Sequence, residues 1–444
     1  MKCIDPIKYK FSRNMNCSTT VNHSVLKRKT CTISPTTILD RFTQLFEMPH
    51  PEKAFLPYTF VEALFKVMKQ TDYLSLPSQS NQQTIKKVYD DWKSFFEASK
   101  KYKINPTNFS GKTKIPKYKP KNGRTTCYLT NQITKIKGNM LSLPGTPLTL
   151  KLGKIAHIDG KLQQVRIVPS YGRYVMEVVF KSEQEKEIKR SEKQLNEWVF
   201  EPKRVMGIDL GVNNLATIID NTGLKPLLIK GKWLKSINQY YNKLRANYMS
   251  ILRNGKGPKE GKFHTTRLIS LDRKRNNRVM DFLHKASAKV VEIAQERTID
   301  TIIIGKNEGW KMEVDMQKTT KQTFIQIPYA TFIGMIRYKA ERHGIQVIVR
   351  EESYTSKSSF LNHDPIPTYG EEHQTNFSGY RSSRAFYKIK GSKILIHADV
   401  NGAFNIVRKH TNDVFEGLER KQFLQSPRKI IIKKKRKAKL KTSV

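Results

Sequence analysis

The chain has 444 residues, room for roughly three domains, and carries 82 Lys and Arg against 38 Asp and Glu, a formal net charge of +44. A compact chain so charged repels itself unless a polyanion neutralises it, which points to nucleic-acid phosphate. Its four cysteines, Cys3, Cys17, Cys31 and Cys127, contain no C-x-x-C pair; that argues against a disulfide framework and a cysteine zinc site, and fits a reducing cytoplasm. No run approaches 18 apolar residues, and MKCIDPIKYKFS lacks a signal-peptide core, so no membrane partner is expected.

In chain order, KRKTCTIS reads as a short strand. TTILDRFTQLFEM, FVEALFKVMKQ and QQTIKKVYDDWKSFFEASKKY then carry apolar residues at helical spacing across residues 36–101. A Pro/Gly/Lys-rich stretch follows, and then short strands: MLSLPG, LTLKLG, QQVRIVPS and RYVMEVVFK. The first half therefore reads as a β-rich module interrupted by a helical insert. In the second half, RVMGIDLGVNNLATIID reads as strand, Gly turn and strand, and residues 232–298 as helix. IDTIIIG (strand), YATFIGMIRYKAERHG (helix), IQVIVREES (strand) and the Asp-led helix HADVNGAFNIVRKH follow. Strands alternating with helices predict an α/β domain with a partly parallel sheet. PRKIIIKKKRKAKLKTSV has nine basic residues and no acid, and reads as a solvated tail contacting phosphate.

Asp209 closes an apolar strand between Gly207 and Gly211, and ligands bind at strand ends in α/β sheets. A carboxylate buried there needs a metal or a donor. Asp399 precedes a helix, where an ordinary N-cap is the plain alternative. GIDLG also opens the actin-like ATPase and sugar-kinase fold, but the further Gly-rich phosphate loops of that fold are missing. A nuclease of RNase H or RuvC type instead needs several acids from distant segments, which can hold two Mg²⁺ ions for phosphodiester hydrolysis.

VMGIDLGVNNLATI, RNNRVMDFLHKASAKVVEIA, TIIIGKNEGWK, EESYTSKSSF and ADVNGAFNI stand in the order of the RuvC-like domain of TnpB, and LPSQSNQQTIKKVYDDWKSFF resembles its helical recognition segment. TnpB proteins are transposon-associated RNA-guided DNA nucleases related to compact type V CRISPR effectors and to Fanzor. The resemblance implies a multidomain α+β chain: an N-terminal β-barrel-like module with a helical recognition insert, then an α/β RNase H-like (RuvC) nuclease domain with a helical insert. The expected boundaries are 1–35 and 106–195 for the β-rich wedge-like module and 36–105 for the recognition insert. Residues 196–355 and 392–412 form the nuclease domain, 356–391 a target-strand-loading-like insert and 413–444 the basic tail.

The resemblance assigns the first and third acids to Asp209 and Asp399. The second is commonly a glutamate closing the middle strand, where this chain has Gly305. Glu308, Glu313 and Asp315 follow in a loop. The next strand ends in Glu351 and Glu352, about 4.8 Å away across a sheet, and alternation lets only one of them point inward. Related lineages, Fanzor included, place the acid in an E-x-x-T-S arrangement, which Glu352 to Ser356 fits. The implied catalytic and Mg²⁺-binding set is Asp209, Glu352 and Asp399, with two ions.

The family's four-cysteine zinc loop has no counterpart in residues 356–398. A Gly-turned hairpin with Phe377, Tyr380, Phe386 and Tyr387 is expected to replace it without zinc, since His363, His373 and His397 are too scattered for a zinc site. Implied partners are a guide RNA derived from the transposon end and double-stranded target DNA, in a bacterial, nucleoid-associated cytoplasmic setting. Candidate nucleic-acid contacts are Lys114, Lys117, Tyr118, Lys119, Arg124, Arg273, Lys274, Arg275 and Arg278. Gln79, Asn81, Gln82 and Gln83 are candidate readers of a flanking DNA motif. A compact CRISPR effector and a nuclease-inactive RNA-guided DNA-binding repressor are the alternatives.

Overall fold

A computed structural model describes residues 9–10, 58–117, 123–144, 147, 149–153, 160–181, 203–257, 260–307, 322, 324–368, 376–411 and 414–432. The chain divides into two compact units, Met1–Asn196 and Glu197–Val444. Among the described residues no helix is long and apolar enough to cross a membrane. The segments 27–34 and 36–48, read as strand and helix, lie outside the described residues.

The first unit contains helices α1 (Tyr58–Val67), α2 (Thr71–Leu74) and α3 (Ser78–Ile104). Phe60, Val61 and Phe65 of α1 meet Tyr73 and Ile85 in a small core. The strands are β1 (Tyr9–Lys10), β2 (Cys127–Thr130), β3 (Lys135–Lys137), β4 (Met140–Ser142), β5 (Thr149–Lys151), β6 (Lys161–Ser170) and β7 (Arg173–Lys181). They form two sheets, in the orders β1-β7-β6-β2 and β3-β4-β5. Leu129, Val165, Met176 and Val178 from one sheet and Leu141 from the other share one core. Where a barrel-like module was expected, the described residues form two separate sheets around a common apolar filling.

The second unit is built on one sheet, ordered β12-β11-β8-β9-β10-β16. Its strands are β8 (Val205–Asp209), β9 (Asn214–Asp220), β10 (Leu227–Lys230), β11 (Thr301–Gly305), β12 (Gln346–Arg350) and β16 (Arg428–Ile430). β8, β9 and β10 form an antiparallel meander, and β11 and β12 extend it in parallel from β8. β8, β9 and β11 are almost wholly buried, as their continuous apolar runs require for strands covered on both faces.

On one face lie α4 (Lys232–Arg253), α5 (Thr266–Glu296) and α6 (Tyr329–Glu341). α5 begins at Thr265, whose hydroxyl accepts from Leu268 N at 3.2 Å, a side-chain N-cap. Met206, Ile208, Ile302 and Ile304 project toward these helices and join their core. On the other face lies α7 (Ala398–Arg408), whose Ala403, Phe404 and Val407 pack on Val205, Ile219 and Ile303. Strand alternation therefore turns Val205, Gly207 and Asp209 toward α7. Gly207 is required there: a Cβ would lie 2.9 Å from the Ala403 carbonyl oxygen. Phe360, Phe415 and Phe423 enlarge this core, with Phe360 stacked on Phe404 at 4.6 Å.

The C-terminal segment departs from the reading of a solvated tail. Residues 428–430 pair in parallel with β10 as a sixth strand, after a short helix α8 (Arg420–Phe423). The charge run concealed Ile430 and Ile432, which pack on the sheet core; β-branched residues beside an open strand edge outweigh the neighbouring lysines. Residues 433–444 lie outside the described residues.

Candidate active site and nucleic-acid surfaces

Asp209 is the last residue of β8 and faces α7. A Cβ built on Gly402 of α7 would sit 3.2 Å from Asp209 Oδ2, so the helix passes close over the carboxylate. Asp399 enters from the first turn of the same helix. It is not a simple N-cap: Asn214 Nδ2 donates to its Oδ2 at 2.8 Å, and Arg381 Nη2 to its Oδ1 at 3.1 Å. Lys230 Nζ donates in turn to Asn214 Oδ1 at 2.6 Å, linking Asp399 to the edge of the meander.

Gly305 explains the rest of the arrangement. It pairs with Arg350 in the parallel β11–β12 ladder. Two residues beyond Arg350, Glu352 turns back into the space beside Gly305. A Cβ on Gly305 would overlap Glu352 Oε2 and would lie 2.5 Å from Ile406 Cδ1. The glycine is therefore the absence that lets a neighbouring strand deliver its carboxylate. Asn307 Oδ1 accepts from Glu352 N at 2.8 Å, tying the Glu352 backbone to the end of β11.

The E-x-x-T-S spacing has a local cause. Thr355 Oγ1 donates to the Glu352 carbonyl at 2.8 Å and closes a tight turn. Asn405 Nδ2 donates to the carbonyls of Thr355 and Ser358, and Asn401 Nδ2 to that of Ser358. Both asparagines are fully buried and lie one turn apart on α7. They lock the loop carrying Glu352 to the helix carrying Asp399. Glu351 turns elsewhere: it forms an ion pair with Lys409, and its Oε1 accepts from Ser353 N at 2.7 Å.

The electrostatics follow from this crowding. Burial, then the negative charges of Glu352 and Asp399, hold Asp209 well above the usual carboxylate range, while Arg381 and the Leu210 amide oppose the rise. Burial, then the charge of Glu351, pushes Glu352 up to about 7. Burial followed by the charges of Asp209 and Glu352 raises the Tyr329 phenol at the start of α6.

Glu352 Oε2 is buried without a hydrogen-bond partner, a costly condition for a carboxylate. An all-oxygen donor set of this kind suits a hard dication. The three acids are not drawn into a closed cage, since among the described residues no three His, Cys, Asp or Glu stand close enough to share an ion. Asp399 is engaged by Arg381 instead. Sequence reasoning missed Arg381, Asn214, Lys230 and Tyr329. Asn214 stands in the GVNN motif and could have been found; Arg381 depends on a hairpin register that spacing does not reveal.

That hairpin is a three-stranded sheet of β13 (Gly379–Arg381), β14 (Phe386–Ile389) and β15 (Leu395–His397). The expected four-aromatic core reduces to Tyr387, which is buried and donates to the Lys357 carbonyl at 2.8 Å. Tyr380 and Phe386 fall on the opposite strand face and are 49% and 46% exposed. Phe377 stacks on Tyr354. Asp364 Oδ2 accepts from Ser359 N at 2.8 Å and Ser378 N at 2.9 Å, bridging the loop to the sheet.

Of the basic candidates in the second unit, Lys274 and Arg278 are exposed on α5, and Arg273 donates to Ser270 Oγ at 3.1 Å. Arg275 is committed internally, donating to Asn238 Oδ1 at 2.9 Å and the Gln326 carbonyl at 2.7 Å. In the first unit Lys114, Lys117 and Arg124 are exposed, with Arg124 over the Tyr174 ring; Tyr118 and Lys119 lie outside the described residues. Gln79 is bonded to Thr130 and Gln132, Asn81 to the carbonyls of Tyr73 and Leu76, and Gln82 to Glu62. Gln83 has no such partner among the described residues.

Residues 181–311 match the family model OrfB_IS605, described as a probable transposase, and residues 329–406 match the Cas12f1-like TNB domain. The chain is 26% identical over 219 residues to CRISPR-associated endodeoxyribonuclease Cas12f1 of Syntrophomonas palmitatica, covering 47% of this chain and 41% of that protein. It is 25% identical over 210 residues to TnpB-like protein ORF457 of Acidianus two-tailed virus, covering 46% and 42%. The chain thus spans about two fifths of the length of these curated relatives. A solved Cas12f1–sgRNA–target DNA complex aligns over 80% of this chain and 86% of that one, at 12% identity and a TM-score of 0.33, too loose a superposition to carry an argument about the site. These sequence matches agree with the resemblance drawn from the motifs: the second half of the chain is similar to the OrfB_IS605 and Cas12f1-like TNB models and to TnpB-like and Cas12f1 proteins.

Proposed function

We propose that this chain is an RNA-guided DNA endonuclease of TnpB type, cutting DNA beside a short flanking motif with Asp209, Glu352 and Asp399 as ligands for two Mg²⁺ ions. The observation that carries the reading is Glu352 Oε2, buried and unpartnered in the space left by Gly305, at a sheet end shared with Asp209 and Asp399. When bound, the ions would supply an activated water and stabilise the leaving oxygen. Asp209 and Glu352, whose burial favours the protonated forms, would hold the ions as carboxylates. Asn214, steadied by Lys230, keeps Asp399 oriented. Arg381 leaves Asp399 and is free to meet a phosphate oxygen. The hairpin is read as held without zinc, by the Asp364 and Tyr387 hydrogen bonds.

The test is plasmid cleavage by the protein purified with RNA from its native locus. Mg²⁺-dependent cutting that Glu352→Gln abolishes and Glu351→Gln leaves intact is expected. Full activity of Glu352→Gln would sink the assignment. The nuclease-inactive repressor reading draws on the Arg381–Asp399 pair, and predicts target binding without cutting by the unaltered chain. Stoichiometric zinc by elemental measurement would overturn the zinc-free reading of the hairpin.

A further inference from the structure

α4 and α5 enclose a groove of about 310 Å³ away from the carboxylates. Its two walls differ in chemistry. α4 supplies Tyr240, Tyr241 and Tyr248, which share a helical face with Leu244. α5 supplies Arg267, Lys274 and Arg278, at i, i+7 and i+11 along one edge, a row about 16 Å long at the helical rise. No acidic residue lines the groove.

Internal bonding accounts for part of this lining and leaves the rest. Tyr241 donates to Asp272 at 2.8 Å, and Arg275 is pinned as described. Arg267 sits over the Tyr248 ring at 5.4 Å. Tyr240 lines the groove and is 58% exposed. An aromatic ring beside a row of cations matches a base with its phosphates. A slot between two helices is too narrow for a duplex, so the base must be unpaired. Ser270, whose hydroxyl accepts from Arg273, also lines the groove; with the tyrosine hydroxyls it offers partners for a 2′-OH that deoxyribose lacks.

We propose that the α4–α5 groove binds an unpaired ribonucleotide stretch, stacking a base on Tyr240 while Arg267, Lys274 and Arg278 hold the backbone. This deepens the RNA-guided reading and identifies the occupant as single-stranded segments of the guide. The cations attract the strand, and the tyrosine selects an open base over a paired one.

The test measures binding of a 20-nucleotide oligouridylate, its deoxy counterpart and an RNA duplex to the full chain in EDTA. Because no cleavage is read, the outcome is independent of whether the carboxylate site works. Tyr240→Ala is expected to weaken oligouridylate binding about tenfold, leave duplex binding unchanged and keep the melting temperature. Tyr240→Trp is expected to restore it. Lys274→Ala with Arg278→Ala is expected to lower the salt slope by roughly 1–2. Unchanged oligouridylate affinity in Tyr240→Ala overturns the proposal, as does a loss confined to the deoxy strand or shared equally by the duplex.

Discussion

Two neighbouring strand ends in the second unit solve the same problem differently. At β8 the acid is the strand's own last residue, Asp209. At β11 that place is Gly305, and the carboxylate arrives from Glu352, two residues past the adjacent β12. A strand spacing of about 4.8 Å is within reach of a glutamate side chain. Chemistry is indifferent to which strand an oxygen comes from, provided that it occupies the right point. The substitution has a structural cost, however. Asp209 needs only the end of β8, whereas Glu352 needs an empty Gly305, the Asn307 side chain and the Asn401–Asn405 clamp.

The largest expected effect tests whether the two ends are equivalent. Glu352→Gln, Asp209→Asn and Asp399→Asn should each reduce Mg²⁺-dependent cleavage to background in a plasmid assay, while gel-shift affinity for guide and target stays near that of the unaltered protein. Unequal effects among the three would break the comparison.

Next comes a pH dependence. Folded Glu352 keeps its proton up to about pH 7, while the unfolded chain releases it near the ordinary 4.5. The folded state then binds more protons across that window, so this group's contribution to stability is full below 4.5 and lost as pH rises through about 7. Glu352→Gln cannot ionise. In EDTA its stability relative to the parent should grow by up to about 3 kcal/mol between pH 4.5 and 8, read by denaturant melts at each pH. A flat difference would mean that Glu352 is not held neutral by burial.

A smaller effect is expected of Gly305→Ala. The added methyl must displace the ends of Glu352 and Ile406, at roughly 1–2 kcal/mol. Cleavage should fall about tenfold or more through the shifted carboxylate, measured as initial rates beside a thermal melt. Parent-like cleavage would show that the vacancy at 305 is not needed. Smallest of all is Glu351→Gln, which removes a partly buried ion pair with Lys409 but leaves that lysine its bonds to the Ser353 and Pro367 carbonyls. It should cost under about 1 kcal/mol and leave the cleavage rate unchanged.

How far the site was legible depended on the kind of information each residue needed. Asp209 and Asp399 could be placed from local pattern alone, a strand ending in an acid and a helix beginning with one. Strand spacing narrowed the second acid to Glu351 or Glu352 once the glycine was noticed, and the resemblance to an E-x-x-T-S arrangement chose Glu352. Arg381 could not be read, because its meeting with Asp399 depends on the register of β13 against β14. The hairpin aromatics were over-grouped for the same reason: Tyr380 and Phe386 lie on the face opposite Tyr387. Residues 428–430 were hidden by composition, their isoleucines overshadowed by the lysines around them. Arg275 looked like its basic neighbours, but the contacts of α5 with α4 and the segment before α6 decide its role.

The position of β16 has a consequence in time. The sheet that carries Asp209 is not closed along β10 until residue 430 exists, some 220 residues after β8 is made. At roughly 5–20 residues per second, synthesis leaves that edge open for on the order of tens of seconds. Asp399 and its helix also emerge late in this interval. A nascent chain therefore carries Asp209 long before it can bring Asp399 beside it.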